Sequence, residues 1–87
     1  MKNISLKIGE KYTLNQLKIN SISEIVEVNI AKPLLRRRLF DMGLTKGVIV
    51  KITKIAPLGD PICFEIRGYE LGLRKDELKS IVVRLIK

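Results

Sequence analysis

The fold is organised around one stretch, residues 35–44, which reads Leu-Arg-Arg-Arg-Leu-Phe-Asp-Met-Gly-Leu. Three apolar residues share one helix face because they are four and three positions apart: Leu35, Leu39 and Met42. Pro33 suits the first helical turn, where its missing N–H is not needed, and Gly43 suits the left-handed position that ends a helix. The stretch therefore predicts a short amphipathic helix that packs on the rest of the chain.

Outside this stretch the apolar residues alternate with polar ones, at the period of a half-buried strand. The alternation predicts five strands, at residues 23–29, 48–53, 62–67, 69–74 and 81–86. A loop is predicted at 56–61, which contains two prolines and a glycine, and single helical turns are predicted at 13–17 and 75–79. Phe40 and Phe64 are expected in the core.

Short connections between consecutive strands favour antiparallel pairing, and a small sheet avoids exposed edges by curling on itself. The predicted fold class is therefore mainly β with one short helix, in a small SH3-like, partly open β-barrel. Residues 1–87 are expected to form a single domain. Within it, residues 1–11 show weak alternation at Ile4, Leu6 and Ile8 and are expected to form an extra arm or edge strand.

The composition excludes several classes of protein. Because the chain has no histidine, a Ser-His-Asp or Cys-His catalytic site and a histidine-ligated metal site are impossible. No glycine-rich phosphate loop is present, and no enzymatic activity is predicted. No apolar run approaches the ~20 residues of a membrane helix. The single cysteine, Cys63, agrees with a reducing compartment, so a cytoplasmic protein without direct membrane insertion is expected.

Positive charge is concentrated around the predicted helix. The formal net charge is +8, and residues 32–54 contain seven basic residues and one acidic residue. Such a patch favours an acidic partner, such as nucleic acid, an anionic membrane surface or an acidic protein face. The alternative is a basic face that is merely solvated. Leu44 and Leu58 lie at expected loop positions beside this patch, and exposed apolar residues there indicate a protein contact.

Metal-ligand chemistry is offered by three residues in or beside the third predicted strand: Asp60, Cys63 and Glu65. Cys63 and Glu65 are two positions apart and share one strand face, and Asp60 lies just upstream. A thiolate with two carboxylates fits weak binding of Fe(II) or Zn(II), without any cofactor being required. The competing interpretation is that Cys63 is a small apolar strand residue and that the two carboxylates are solvated.

Three blocks of the sequence, residues 35–47, 56–61 and 67–74, together resemble the FeoA family, the small cytosolic component of bacterial ferrous iron uptake. The blocks lie in the order and at the spacing of the family. The resemblance implies an SH3-like barrel with an inserted helix. It also implies a non-enzymatic accessory role, in which the protein acts on the cytosolic GTPase region of the membrane transporter FeoB, and it is associated with transition metal ion binding.

The leading interpretation is an accessory or regulatory protein of ferrous iron uptake that binds an FeoB-type transporter and is associated with the inner membrane through it. The residues expected to bind this partner are Arg36, Arg37, Arg38, Leu44, Leu58, Gly59, Asp60 and Tyr69. Two alternatives stay open: a metal-sensing module, and a basic small barrel that binds nucleic acid without sequence preference, although few aromatic side chains are present for base stacking. An uncovered edge strand is expected to permit a homodimer.

Overall fold

The computed structural model describes residues 5–87 and contains six strands, two α-helices and one 3₁₀ turn. The strands are β1 Lys11–Thr13, β2 Ile22–Val28, β3 Ile49–Ile55, β4 Ile62–Ile66, β5 Tyr69–Leu73 and β6 Ile81–Leu85. The helices are α1 Pro33–Asp41 and α2 Lys75–Leu78, and the 3₁₀ turn is Leu14–Gln16. No helix in residues 5–87 is long and apolar enough to cross a membrane.

The six strands form one antiparallel sheet in the order β1-β6-β2-β3-β4-β5. The register shifts between Ile25 and Glu27 in β2 and between Ile52 and Lys54 in β3. Such bulges increase the local twist and help a sheet to curl. Because β1 and β5 remain at the two ends of the order, the sheet is not closed. The predicted architecture, mainly β with one short helix and a partly open sheet, is confirmed.

Alternation along the strands sorts the side chains between core and solvent. In β4 the buried side chains are Ile62, Phe64 and Ile66. Between them, Cys63 is half-buried and Glu65 is exposed. Leu14 from the 3₁₀ turn and Leu78 from α2 are fully buried, and these two elements pack against each other. The two short helical turns predicted from sequence therefore supply apolar side chains to the core.

Helix α1 begins at Pro33, as predicted, and buries Leu39 against the core. It ends in a Schellman motif around Gly43, whose φ is +95°. The N–H of Gly43 donates to the carbonyl of Phe40 (3.0 Å), and the N–H of Leu44 donates to the carbonyl of Leu39 (2.9 Å). The left-handed glycine turns the chain back, so the residues after the helix return to the sheet.

The N-terminal part of the described chain runs beside β6. The N–H of Gly9 donates to the carbonyl of Leu85 (2.7 Å), and β1 then pairs with β6. β1 is not among the five predicted strands, because three residues are too few to produce a recognisable alternation. Leu6 packs against the core and Ile8 is exposed, whereas Ile4 lies outside the described residues.

Candidate partner-binding surface

The solvent side of α1 carries uncompensated positive charge. Its three consecutive exposed arginines are Arg36, Arg37 and Arg38. The first turn contains no acidic residue, and the N-cap residue Lys32 makes no side-chain cap. A helix N-terminus carries partial positive charge from its unpaired N–H groups, so Lys32 and Arg36 lie near like charge, whereas Arg38 lies in the last turn, where the helix dipole favours a cation. Within residues 5–87 the one ion pair joins Lys79 to Asp76 (3.3 Å), so none of the three arginines has a carboxylate partner there.

Phe40 lies on the surface beside these arginines. Its side chain is 64% exposed, so the prediction that it belongs to the core is wrong, whereas Phe64 is fully buried as predicted. The reason is rotational: successive helix residues are ~100° apart, and Leu39 occupies the core-facing position. Phe40 is thereby left on the flank of the helix, where Arg36, one turn earlier, is its neighbour.

Leu44 does not belong to this surface. Its side chain is only 1% exposed, so the prediction that it contacts a partner is wrong. In a Schellman motif the residue after the glycine folds back over the last helical turn, and an apolar contact commonly accompanies it. Leu44 and Leu39 occupy the two positions of that contact and are both buried. The sequence contained this signal, since Gly43 itself predicts the helix end.

Two shallow grooves meet at Arg36 and Phe40. The N-terminal groove is lined by Ile30, Ala31, Pro33, Arg36, Arg37 and Phe40. The C-terminal groove is lined by Arg36, Phe40 and residues 26–29 and 44–46, which come from the end of β2 and from the chain after α1. Arg36 and Phe40 therefore form a ridge between two mainly apolar depressions. Sequence reasoning missed both grooves, because they depend on which residues of β2 and of the connection between β2 and α1 lie next to the helix.

The loop between β3 and β4 holds the other predicted contacts. Leu58 is 97% exposed at its tip, and Gly59, with a φ of +87°, forms the turn. Asp60 has a structural partner, since its Oδ1 accepts a hydrogen bond from the N–H of Lys75 at the start of α2 (2.8 Å). Tyr69, at the start of β5, is 40% exposed. None of these residues lines either groove beside Phe40.

The predicted metal ligands are not assembled into a site. No group of three or more His, Cys, Asp or Glu side chains in residues 5–87 is placed to hold a metal ion. Cys63 and Glu65 lie on the outer side of β4, but Asp60 is turned towards α2 through its bond to Lys75. The residues present do not fit a three-ligand metal centre, and a set of two ligands would leave most of the coordination to water.

The surface belongs to a domain with known relatives. The FeoA domain family matches residues 12–85. A fusion protein of Fe(2+) transport protein A and the Fe(2+) transporter FeoB from Porphyromonas gingivalis is 32% identical over 73 residues. That match takes in 84% of this chain but only 8% of the length of the fusion protein.

Solved structures agree with the family match. The FeoA protein from Chlorobium tepidum is 38% identical with a TM-score of 0.82, over 87% of this chain and 71% of that protein. The FeoA of Stenotrophomonas maltophilia, solved with zinc and described as an SH3 domain protein, is 27% identical with a TM-score of 0.73, over 83% of this chain and 88% of that protein. The predicted SH3-like fold is confirmed by this likeness. The chain belongs to the FeoA family.

Proposed function

We propose that the protein is a non-enzymatic accessory protein of ferrous iron uptake, which acts at the cytosolic GTPase region of an FeoB-type transporter. The contact is made by the exposed face of α1, with its three arginines and Phe40. One observation carries the proposal: these side chains are exposed on one helix, and the arginines have no carboxylate partner within residues 5–87. The relative from P. gingivalis, which joins transport protein A and FeoB in one chain, supports the choice of partner.

The chemistry of the face suits a regulated protein contact. Arginine and aromatic side chains supply much of the binding energy of protein interfaces, while surrounding residues exclude water. The positive charge of α1 attracts an acidic surface and sets its orientation and association rate. Leu58 and Tyr69 extend the contact as apolar groups, with Gly59 and Asp60 shaping the loop that carries Leu58.

The test is an NMR titration of the ¹⁵N-labelled protein with the purified GTPase region of the transporter, loaded with GDP or with a GTP analogue. We expect saturable shifts at residues 36–40, with a nucleotide dependence if the contact is regulatory. Reversal of all three helix arginines, Arg36→Glu, Arg37→Glu and Arg38→Glu, is expected to weaken binding at least about tenfold. Shifts confined to other parts of the chain would rule out α1 as the contact.

A control variant with the same change in net charge distinguishes a local contact of α1 from a general effect of the protein's net charge. The control is the triple variant Lys18→Glu, Lys54→Glu and Lys87→Glu, which removes the same positive charge at exposed positions outside both grooves. We expect it to weaken binding by less than about threefold, because these exposed charges lie outside α1, line neither groove and are screened at physiological salt. A parallel titration with duplex DNA addresses the nucleic-acid alternative: shifts that persist at physiological salt with DNA alone would overturn the proposal.

Two further predictions belong to the same proposal. The outer edges of β1 and β5 pair with no strand within residues 5–87. A second copy of the chain is predicted to pair at one of these edges, and sedimentation would detect the resulting dimer.

Weak binding of Fe(II) or Zn(II) at Cys63 and Glu65 also stays a prediction. This prediction is supported if calorimetry shows stoichiometric metal binding and the Cys63→Ser variant shows none.

A further inference from the structure

We propose that the two grooves beside Phe40 bind one acidic segment of a partner protein, which places an apolar side chain in each groove and straddles the Phe40 ridge. This inference rests on the proposed function, because it names the kind of surface that α1 recognises. The two grooves share Phe40 and Arg36, so a single segment crossing the ridge contacts both. Phe40 becomes the central apolar contact of the interface, although the predicted contact set did not contain it.

The apolar part of the argument comes from the walls of the grooves. Ile30, Ala31 and Pro33 line the N-terminal groove, and Val28 lines the C-terminal groove. These side chains lie next to Phe40, which is 64% exposed, and together they form a contiguous apolar patch that an apolar group of a partner can cover. Because Phe40 borders both grooves, a partner with two apolar side chains fits the pair of grooves better than a partner with one.

The charge around the grooves selects an acidic segment. Arg36 and Arg37 line the N-terminal groove, and Arg36 and Lys46 line the C-terminal groove, against one carboxylate, Glu27. The start of α1 adds the positive end of the helix dipole, with no acidic residue and no side-chain cap to offset it. Carboxylates of a bound segment would meet the arginines in charge-assisted hydrogen bonds, which arginine makes in bidentate form.

The geometry favours a protein segment over a lipid surface. Leu34, the other large exposed apolar residue of α1, is six positions from Phe40, which places the two about 120° apart around the helix axis. They do not form one continuous apolar face that could lie in a membrane interface. Nucleic acid is also disfavoured, because Phe40 is the single aromatic residue that lines either groove, and binding of unpaired strands uses successive stacking platforms.

The test uses synthetic helical peptides as probes in addition to the transporter's GTPase region. One peptide is acidic with two leucines four positions apart, a second has the same leucines with lysine in place of the acidic residues, and a third is acidic without leucine. We expect the first peptide alone to shift the amides of residues 26–31, 36–40 and 44–46. Phe40→Ala is expected to weaken its binding at least about tenfold. Leu34→Ala, a matched loss of an exposed apolar side chain from the same helix, is expected to change it by less than about threefold.

A stability measurement separates contact from folding. Arg36→Glu breaks the run of three adjacent positive charges and lies close to the first turn of α1, which contains no acidic residue, so the melting temperature is expected to stay the same or to rise. Binding of the acidic peptide is nevertheless expected to fall at least about tenfold. A variant that loses binding only because it unfolds would show the opposite thermal change and would overturn the role assigned to Arg36.

The outcomes separate this inference from the proposed function. If the parent protein and the Phe40→Ala variant bind the GTPase region equally well, the accessory role is supported and the assignment of the grooves is wrong. If the acidic peptide binds in the grooves but the GTPase region does not bind the protein, the assignment of the grooves is supported and the proposed transporter partner is wrong. Binding to vesicles containing about 30% phosphatidylserine, or to single-stranded DNA, with the same dependence on Phe40 and no response to the acidic peptide would overturn the inference.

Discussion

The side chain of Arg67 lies across Gly43, so close that a Cβ atom at position 43 would stand 2.7 Å from Arg67 Cδ. Gly43 ends α1, and Arg67 lies in the turn between β4 and β5, where its own φ is +50°. The contact joins the C-terminal end of α1 to a hairpin turn that is distant in sequence. It therefore helps to set the orientation of α1, and with it the direction of the helix face that carries the arginines.

Gly43→Ala is expected to destabilise the domain for two reasons. A left-handed conformation at φ +95° costs a residue with a Cβ about 1–2 kcal/mol, and the new methyl group must also displace the Arg67 side chain. Gly47→Ala is the matched control, since Gly47 has a φ of +92° and a methyl group there would meet no other side chain within 4 Å. Urea unfolding should show a larger loss for Gly43→Ala than for Gly47→Ala.

The contribution of Arg67 to that difference is measured by a double-mutant cycle. In an Arg67→Ala background the two glycine substitutions are expected to reduce the free energy of unfolding by similar amounts, because the obstruction at position 43 is gone. Equal losses for the two glycines in the parent protein would contradict the close approach of Arg67 to Gly43.

Leu44→Ala is expected to lower the free energy of unfolding by about 2–5 kcal/mol, because Leu44 is 1% exposed and packs at the end of α1. Leu58→Ala makes the same chemical change at a side chain that is 97% exposed, and it should alter stability by less than about 0.5 kcal/mol. Thermal and urea unfolding of both variants check the pair. Similar losses in the two variants would be incompatible with the burial of Leu44.

Ser23→Ala is expected to stabilise the protein. Ser23 on β2 is fully buried, and its Oγ has no hydrogen-bond partner in the part of the chain that the structure describes. An unsatisfied buried hydroxyl is unfavourable, so its removal should raise the free energy of unfolding by about 1 kcal/mol. Ser21→Ala serves as the contrast, because the Ser21 hydroxyl donates to the carbonyl of Lys18 and its loss should be destabilising. A lower midpoint for Ser23→Ala would show that its hydroxyl is satisfied in solution.

Asp60→Ala is expected to lower the free energy of unfolding by about 1 kcal/mol, because the N–H of Lys75 loses its acceptor at the start of α2. Asp60→Asn keeps an acceptor oxygen at the same position, so most of that stability should be retained. Denaturant unfolding of the two variants gives the comparison. If Asn proves as damaging as Ala, the charge of Asp60 rather than its hydrogen bond supports the loop.

The regular elements were predictable because their periodicity is local. The spacing of Leu35 and Leu39, together with Pro33 and Gly43, defined α1, and the alternation around Phe64 defined β4. In each case the residues that specify the element lie within the element itself or at its ends. β1 has only three residues and forms a strand through its pairing with β6, so no local pattern could identify it.

The candidate surface was less predictable, because exposure is decided by residues far apart in sequence. The exposure of Arg36 and Leu58 followed from helix and loop positions, and the structure confirms it. Phe40 was predicted to be buried and Leu44 to be exposed, and the structure shows the reverse. The pattern of apolar residues does not say which flank of α1 the sheet covers. The burial of Leu44 could have been predicted from the helix-end motif. The exposure of Phe40 could not, because it depends on how α1 lies beside the end of β2.

The pairing of β1 with β6 brings opposite ends of the domain side by side, with Lys11 opposite Arg84. A circular permutant with joined ends and an opening between Leu58 and Gly59 would keep every strand in its place. The pairing most distant along the parent chain would become a local hairpin, while the exposed loop tip would supply the new termini. The β3–β4 pairing, a local hairpin in the parent, would in turn join the two ends of the permuted chain, so the permutant exchanges one local hairpin for another and is expected to leave the face of α1 unaltered.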